Sequence, residues 1–143
     1  MNARPTPAGP PSVLFVCVKN SGKSQMAAGL MRTLAGDRVQ VHSAGTKPGH
    51  ALNAQSAASL AEVGIDISAD TPKPIDPDVL ANADYVVTLG REARVEPVPG
   101  PRFETWDTDE PSERGIEGLE RMRLIREDIA ARVADLFARM QPD

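Results

Sequence analysis

Val13-Leu14-Phe15-Val16-Cys17-Val18-Lys19-Asn20-Ser21-Gly22-Lys23-Ser24-Gln25-Met26-Ala27-Ala28 decides how the rest of this chain is read. An apolar run ends at Cys17, a short polar loop containing Gly22 follows, and Ser24 opens a helix-forming stretch. A near-continuous apolar run marks a strand buried on both faces. Ser12–Cys17 is therefore the first predicted strand, and a helix is predicted from about Ser24 to Leu34. The turn between them aims a thiol and a row of backbone N–H groups at one spot. Unpaired N–H groups and the dipole make a helix N-terminus an anion site, and they lower the pKa of a nearby thiol. A lone cysteine closing an apolar run also fits a small buried hydrophobe. The loop favours the nucleophile. Asn20 and Gly22 tolerate the positive φ that an anion-wrapping nest requires. Lys23 brings a cation, and Ser24 can cap the helix or donate to the thiolate.

Outward from this loop, strand and helix patterns alternate. Met26, Leu30, Met31 and Leu34 share one side of the first helix, which Gly36-Asp37 stops. Arg38–Ser43 alternates enough for a second strand that runs out in Ala44-Gly45-Thr46. Asn53 is placed to cap a helix reaching about Val63, with Leu60, Ala61 and Val63-Gly64 marking its buried end. Asp66–Pro77 is proline-rich and irregular. A short helix is expected over Pro77–Asn82, a buried third strand over Ala83–Leu89 and a short fourth over Phe103–Trp106. The clearest periodicity comes last. Ile116, Leu119, Met122, Ile125, Ile129, Val133, Leu136 and Met140 recur every three or four residues, predicting one long amphipathic helix with a charged, solvated face.

This alternation implies an α/β fold, a single domain of three layers (α/β/α) around a four-stranded parallel twisted sheet. Ligands of such sheets bind beyond the carboxyl ends of the strands. Cys17, Ser43 and Leu89-Gly90 all fall at strand ends.

Size and composition agree. A chain of 143 residues with 41% hydrophobic but only 3% aromatic residues suits one core of Val, Leu, Ile, Ala and Met. The domain is expected over residues 12–140. Residues 1–11, with four prolines and no apolar core, are expected to be a disordered tail, neither signal peptide nor helix. A net charge of −4 argues against nucleic-acid binding by bulk electrostatics, so an anion must be held locally. No segment approaches the ~18 apolar residues of a membrane span, so no membrane partner is expected. The single cysteine excludes an internal disulfide and fits a reducing, cytoplasmic setting. His42, on a predicted strand, and His50, in a predicted loop, have no metal-ligand spacing with each other or Cys17, so no metal site is expected.

With the elements placed, the motif residues resemble a known family. Val13-Leu14-Phe15-Val16-Cys17, five further residues and Lys23-Ser24-Gln25-Met26-Ala27 resemble the phosphate loop of the low-molecular-weight protein tyrosine phosphatases, including their thioredoxin-type arsenate reductase branch. Ser43-Ala44-Gly45-Thr46, Glu62-Val63-Gly64-Ile65-Asp66 and Asp109-Glu110-Pro111 match in the same order, and the resemblance spans about residues 12–138. It implies a phosphatase I-like fold with flavodoxin-like strand order. It also implies an oxyanion held by the backbone N–H groups of Val18, Lys19, Asn20, Ser21, Gly22, Lys23 and Ser24, with Lys23 adding charge. Cys17 is then the nucleophile, supported by Ser24, and no bound cofactor is needed. In the family the Asp before the Pro is the general acid. Here Glu110 takes that place with Asp109 beside it, and either carboxyl can protonate a leaving oxygen. Asp107, Asp109 and Glu110 equally fit capping of the last helix. Lys19 either meets substrate at the loop mouth or is simply solvated. Asn20 either fixes the loop through neighbouring backbone or is an ordinary turn residue.

Two departures narrow the resemblance. The family loop ends in Arg, whose planar fork grips an oxyanion bidentately, and Lys23 lacks that fork. The self-contained arsenate reductases resolve their intermediate with further cysteines, and none exists here. A single-Cys domain with a Lys-ending loop is similar to the actinobacterial arsenate-mycothiol transferases. That likeness implies arsenate and the co-substrate mycothiol as partners, a mycoredoxin downstream that releases arsenite, and a role in arsenical resistance. Whether an enzyme–arsenic bond forms on Cys17 stays open at this point. So do a phosphatase passing through a Cys17 phospho-enzyme and a non-catalytic oxyanion-binding module.

Overall fold

The computed structural model describes residues 9–141. Four strands and four helices follow one another: β1 Ser12–Cys17, α1 Lys23–Ala35, β2 Gln40–Gly45, α2 Ala54–Ala61, α3 Pro77–Asn82, β3 Tyr85–Leu89, β4 Arg102–Trp106 and α4 Gly118–Met140. The strands form one parallel sheet in the order β2-β1-β3-β4. Phe15 stands opposite both Ser43 and Val87, and Leu89 stands opposite Trp106. This is the expected single α/β domain with flavodoxin-like order.

The central position of β1 explains its unbroken apolar run. Val13 and Phe15 face α1 and α4, joining Met26, Met31, Ile125, Ile129 and Leu136 in the larger core. Leu14 and Val16 point to the opposite face and meet Ala44, Ala83 and Val86. The three layers are unequal: α4 packs on α1 and α2 on the first face, whereas the second is closed by six-residue α3 and irregular segments carrying Ile75 and Val95.

Several boundaries differ from expectation for identifiable reasons. Leu34 is 44% exposed, and α1 is buried instead through Ala27, Ala28, Gly29, Met31 and Ala35. Small residues let this helix lie close: a Cβ on Gly29 would stand 3.0 Å from Ile67 Cγ2. Helix α2 stops at Ala61 because Gly64 turns left-handed (φ 83°). Ile65 N–H then bonds to the Leu60 carbonyl and Gly64 N–H to that of Ala61, both at 3.0 Å. The turn leaves Ala61 and Val63 outside and carries Ile65 into the core. Ile116 precedes α4, separated from β4 by a 3₁₀ turn at Pro111–Arg114. Of the expected tail, residues 1–8 lie outside the described residues, and the Pro11 carbonyl accepts a 2.8 Å bond from Gln40 N–H. No helix among the described residues is long and apolar enough to cross a membrane.

Ile129, fully buried on α4, tests this packing. Ile129→Ala is expected to cost about 3 kcal/mol, seen as a lower urea midpoint with an unchanged m-value.

Candidate active site

The loop after β1 is built by tying its carbonyls outward. Thr46 N–H bonds to the Cys17 carbonyl at 3.1 Å, Lys47 to Val18 at 2.8 Å, Gly49 to Lys19 at 2.9 Å and Asn53 to Ser21 at 2.7 Å. The Gln25 side chain donates to the Asn20 carbonyl at 3.2 Å, and Met26 N–H takes that of Gly22 at 2.9 Å. Six consecutive carbonyls are thereby pinned. A trans peptide is planar, so the next residue's N–H points the opposite way. The N–H groups of Val18 to Lys23 are therefore turned away from these partners. Asn20 N–H shows where they turn: it lies 3.2 Å from Cys17 Sγ. The first-turn N–H groups of α1 add to this row, since a helix start leaves its first donors without intrahelical partners.

Asn20 holds the loop in this shape. It is fully buried and left-handed at φ 54°, a region Asn tolerates better than most residues. Its Oδ1 accepts from Lys73 N–H at 3.0 Å and Gln25 Nε2 at 3.1 Å, which fixes which end of the amide is which. Nδ2 consequently donates to Ser24 Oγ at 2.7 Å, and the Ser24 hydroxyl shares a 2.9 Å hydrogen bond with Cys17 Sγ, in which it is the donor when the sulfur is a thiolate. Ser24 lies inside the first turn and aims at the sulfur, so the expected capping role falls away; Gly22 is the N-cap. Strand β2 crosses closely at Gly45, where a Cβ would stand 2.6 Å from the Val18 carbonyl oxygen and 3.0 Å from Asn20 N. Only glycine allows that approach.

The other expected site residues are placed differently. Lys19 is exposed at the loop's outer side, with Gly49 against its stem. Lys23, at the end of the loop, lines a polar cavity of about 290 Å³ with Gly90, Arg91, Asp107, Thr108 and Glu110, beyond the carboxyl ends of β3 and β4. Both candidate acids are engaged by arginines. Glu110 receives a bidentate bond from Arg121 at 2.7 and 2.8 Å and one from Ser112 Oγ at 2.6 Å. Arg121, with Ser112, holds the Glu110 carboxyl down to about 2. Asp109 is gripped by Arg114 at 2.8 and 3.1 Å, which lowers its carboxyl below the usual range. Asp107 is likewise lowered by Arg91. A carboxyl paired this way stays ionised, so in this arrangement neither Asp109 nor Glu110 is set up as a proton donor. Glu110 caps the 3₁₀ turn at Pro111 rather than α4. His42 lies half-buried in β2, lowered by burial, and His50 sits in the loop before α2.

Sequence reasoning missed Gln25 as a loop tie and Lys73 as a backbone donor to Asn20. Lys73 is 53 residues from its partner, so no local pattern marks it. Gln25 carries a faint signal, being polar in the buried stretch Ser24–Gly29 of α1.

A parallel α/β domain with a thiol at the base of an N–H-lined loop defines a class: enzymes that act on oxyanions through a cysteine. The chain belongs to the low molecular weight phosphotyrosine protein phosphatase family, whose model matches residues 12–143. It is 38% identical over 130 residues to the arsenate reductase of Bacillus licheniformis, covering 85% of this chain and 91% of that one. Among solved structures, the thioredoxin-dependent arsenate reductase of Corynebacterium glutamicum superposes with a TM-score of 0.80 at 34% identity. That match covers 95% of this chain and 64% of the other, so this chain spans under two thirds of its length. An arsenate reductase in a phosphate-binding state also gives 0.80 at 34% identity, covering 92% of this chain and 99% of that one.

Two predictions test the site's construction. Asn20→Ala removes the acceptor of Lys73 N–H and places Ala at positive φ. It is expected to cost about 2 kcal/mol in stability and to weaken phosphate binding, measured by calorimetry, at least ~10-fold. Asn20→Gly relieves only the backbone and should recover only part of both. The second is a pH effect. Glu110 sits at about 2 when folded against an ordinary 4.5, so its pairing stabilises fully above pH 4.5 and is lost as pH falls through 2. Arg121→Met should flatten that acid limb, by about 1 kcal/mol, in urea unfolding followed from pH 6 to pH 2.

Proposed function

We propose that the protein is an arsenate–thiol transferase, joining arsenate to an external low-molecular-weight thiol of the mycothiol type. The observation that carries this reading is that Cys17 is the only cysteine in 143 residues. It stands beneath a loop built for a tetrahedral oxyanion, so the protein can bind arsenate but cannot finish a reduction with a disulfide of its own. The N–H groups of Val18 to Ser24 hold the anion and Lys23 adds charge. Cys17, with Asn20 N–H and Ser24 Oγ aimed at its sulfur, activates it from the base of the loop.

The transfer balances without a carboxylic acid from the protein. The incoming thiol forms an S–As bond, an As–O bond breaks, and the thiol's proton leaves on the departing oxygen as water. A second thiol, on a mycoredoxin-type partner, then attacks the sulfur of that adduct. The S–As electron pair stays on arsenic, releasing arsenite and a mixed disulfide. This fits the arginine pairing of Asp109 and Glu110. A lone unprotected thiol also suits a reducing, cytoplasmic setting.

The family's phosphatase reaction is the second reading, favoured by the Cys17–Ser24 pair. It must expel an alkoxide or phenoxide, which calls for a general acid, and both carboxyls are paired. Arsenite release is expected only with arsenate, mycothiol and mycoredoxin together, and Cys17→Ser should abolish it. Lys23→Arg restores a bidentate fork and should raise hydrolysis of p-nitrophenyl phosphate at least ~10-fold, a loss of about 1.4 kcal/mol from the barrier. Fast hydrolysis by the wild-type protein with no thiol-dependent arsenite would establish the phosphatase instead.

A further inference from the structure

We propose that the outer edge of β4 is a docking strand, which takes an extended acidic segment of a partner protein as a fifth strand of the sheet. The proposal is independent of what Cys17 does with its anion.

The two edges of the sheet are treated differently. Along β2, Gln40 N–H bonds inward to the Pro11 carbonyl, so Val41, Ser43 and Gly45 turn their main-chain groups outward. Arg32 covers the Val41 carbonyl at 3.2 Å, and Gly45 N–H bonds to the Lys73 carbonyl at 2.8 Å. An uncovered edge is a template for another chain, and proteins ordinarily block it by such means. Strand β4 has no such cover. Arg102 N–H bonds inward to the Asp84 carbonyl, and the Trp106 carbonyl accepts from Gly90 N–H. Residues alternate along the ladder, so Arg102, Glu104 and Trp106 pair with β3. Phe103 and Thr105 therefore turn their N–H and C=O groups outward, and none of these has a partner among the described residues. The strand holds no proline or glycine, and its Phe, Thr and Trp favour extended backbone.

The surface beside this edge selects the segment that fits. Phe103 packs on the second core, and Thr105, two residues on, shares its side of the sheet. With Ala93, Val95 and Pro97 of the connection from β3 they line a cavity of about 450 Å³. A strand added to β4 sends alternate side chains toward this cavity, which suits an apolar one. Arg94 lines the same cavity and Arg102 starts the edge; both are exposed, and neither makes an ion pair among the described residues. The nearest acid on the strand, Glu104, is held by Arg139, and Glu96 does not line the cavity. Two unpaired cations select carboxylates on the partner. A second copy of this chain fits less well, because antiparallel pairing of two β4 strands about Glu104 sets like charges directly opposite.

The test uses the full chain and a fluorescein-labelled peptide, Glu-Val-Asp-Phe-Glu-Val-Asp, with binding read by anisotropy and amide exchange by NMR. The Phe103 and Thr105 amides are expected to exchange fast in the free chain and at least ~10-fold more slowly with peptide bound. Thr105→Pro removes an outward N–H and leaves the β3 ladder intact. It should weaken peptide binding at least ~10-fold with the Kd for phosphate unchanged, whereas Thr105→Val should stay within ~2-fold. A peptide N-methylated at alternate residues tests the same bonds on the unaltered protein and should bind at least ~10-fold more weakly. The Arg94→Glu, Arg102→Glu double variant should lose a similar factor. No binding by the wild type, or binding that survives both Thr105→Pro and N-methylation, overturns the docking strand. Protection of Phe103 and Thr105 in the free chain overturns it too, because the edge is then already covered. Equal binding of a peptide with lysine in place of each acid overturns the charge selection. A dimer that Thr105→Pro dissociates assigns the edge to a second copy and overturns the partner.

Discussion

The buried Asn20 amide is the interaction on which the rest of the site depends. One side chain accepts from Lys73 N–H and Gln25 and donates to Ser24. It thereby joins the loop, the first turn of α1 and the segment beside β2. Each bond constrains the next. The Lys73 bond settles the direction of the amide, and the amide Nδ2 holds the Ser24 hydroxyl within hydrogen-bond distance of Cys17 Sγ. Such a network works as a unit, and its one loose end is Gln25 Oε1, buried with no partner among the described residues. The left-handed backbone at Asn20 is affordable only because the surroundings over-determine it.

The same economy of partners shapes the chemistry around the loop. Arginines outside the loop take up the nearby acids: Arg121 holds Glu110, Arg114 holds Asp109 and Arg91 holds Asp107. Arg132 on α4 adds a bond to the Asp107 carbonyl and pairs with Asp128, which itself accepts Asp109 N–H. The acidic segment is thus fastened to α4. A site that must protonate a leaving alkoxide keeps a carboxyl free and its pKa raised. This one keeps its carboxyls ionised, which suits a reaction whose incoming thiol brings its own proton.

Much of the fold was legible because its signals are local. The buried run Val13–Val16, the cap at Asn53 and the spacing from Met122 to Met140 each act over a few residues. The loop's polarity and the position of Cys17 were legible for the same reason. What escaped the sequence depends on long-range contacts. Leu34 looked like part of the core stripe, yet Gly29 and its alanines bring α1 so close that the stripe turns away from it. Asp109 and Glu110 looked like acids, and their role depends on arginines 5 and 11 residues away whose rotamers no pattern records. Gly45 is required by the approach of Val18 from the end of the neighbouring strand, a contact between positions 27 residues apart that no local pattern marks.

Cys17 also shows why a single residue's absence of kin can say as much as its position. The loop geometry by itself is compatible with any tetrahedral oxyanion, because backbone N–H groups read shape and charge and not the central atom. Ser24 and Asn20 serve a thiol nucleophile equally in ester hydrolysis or in arsenate transfer. Discrimination has to come from what happens after binding. Hydrolysis needs water and a proton donor, and Asp109 and Glu110 are each paired with an arginine. Reduction needs two electrons, and one cysteine with no partner in the chain cannot supply them as a disulfide. The electrons must therefore arrive on a separate molecule.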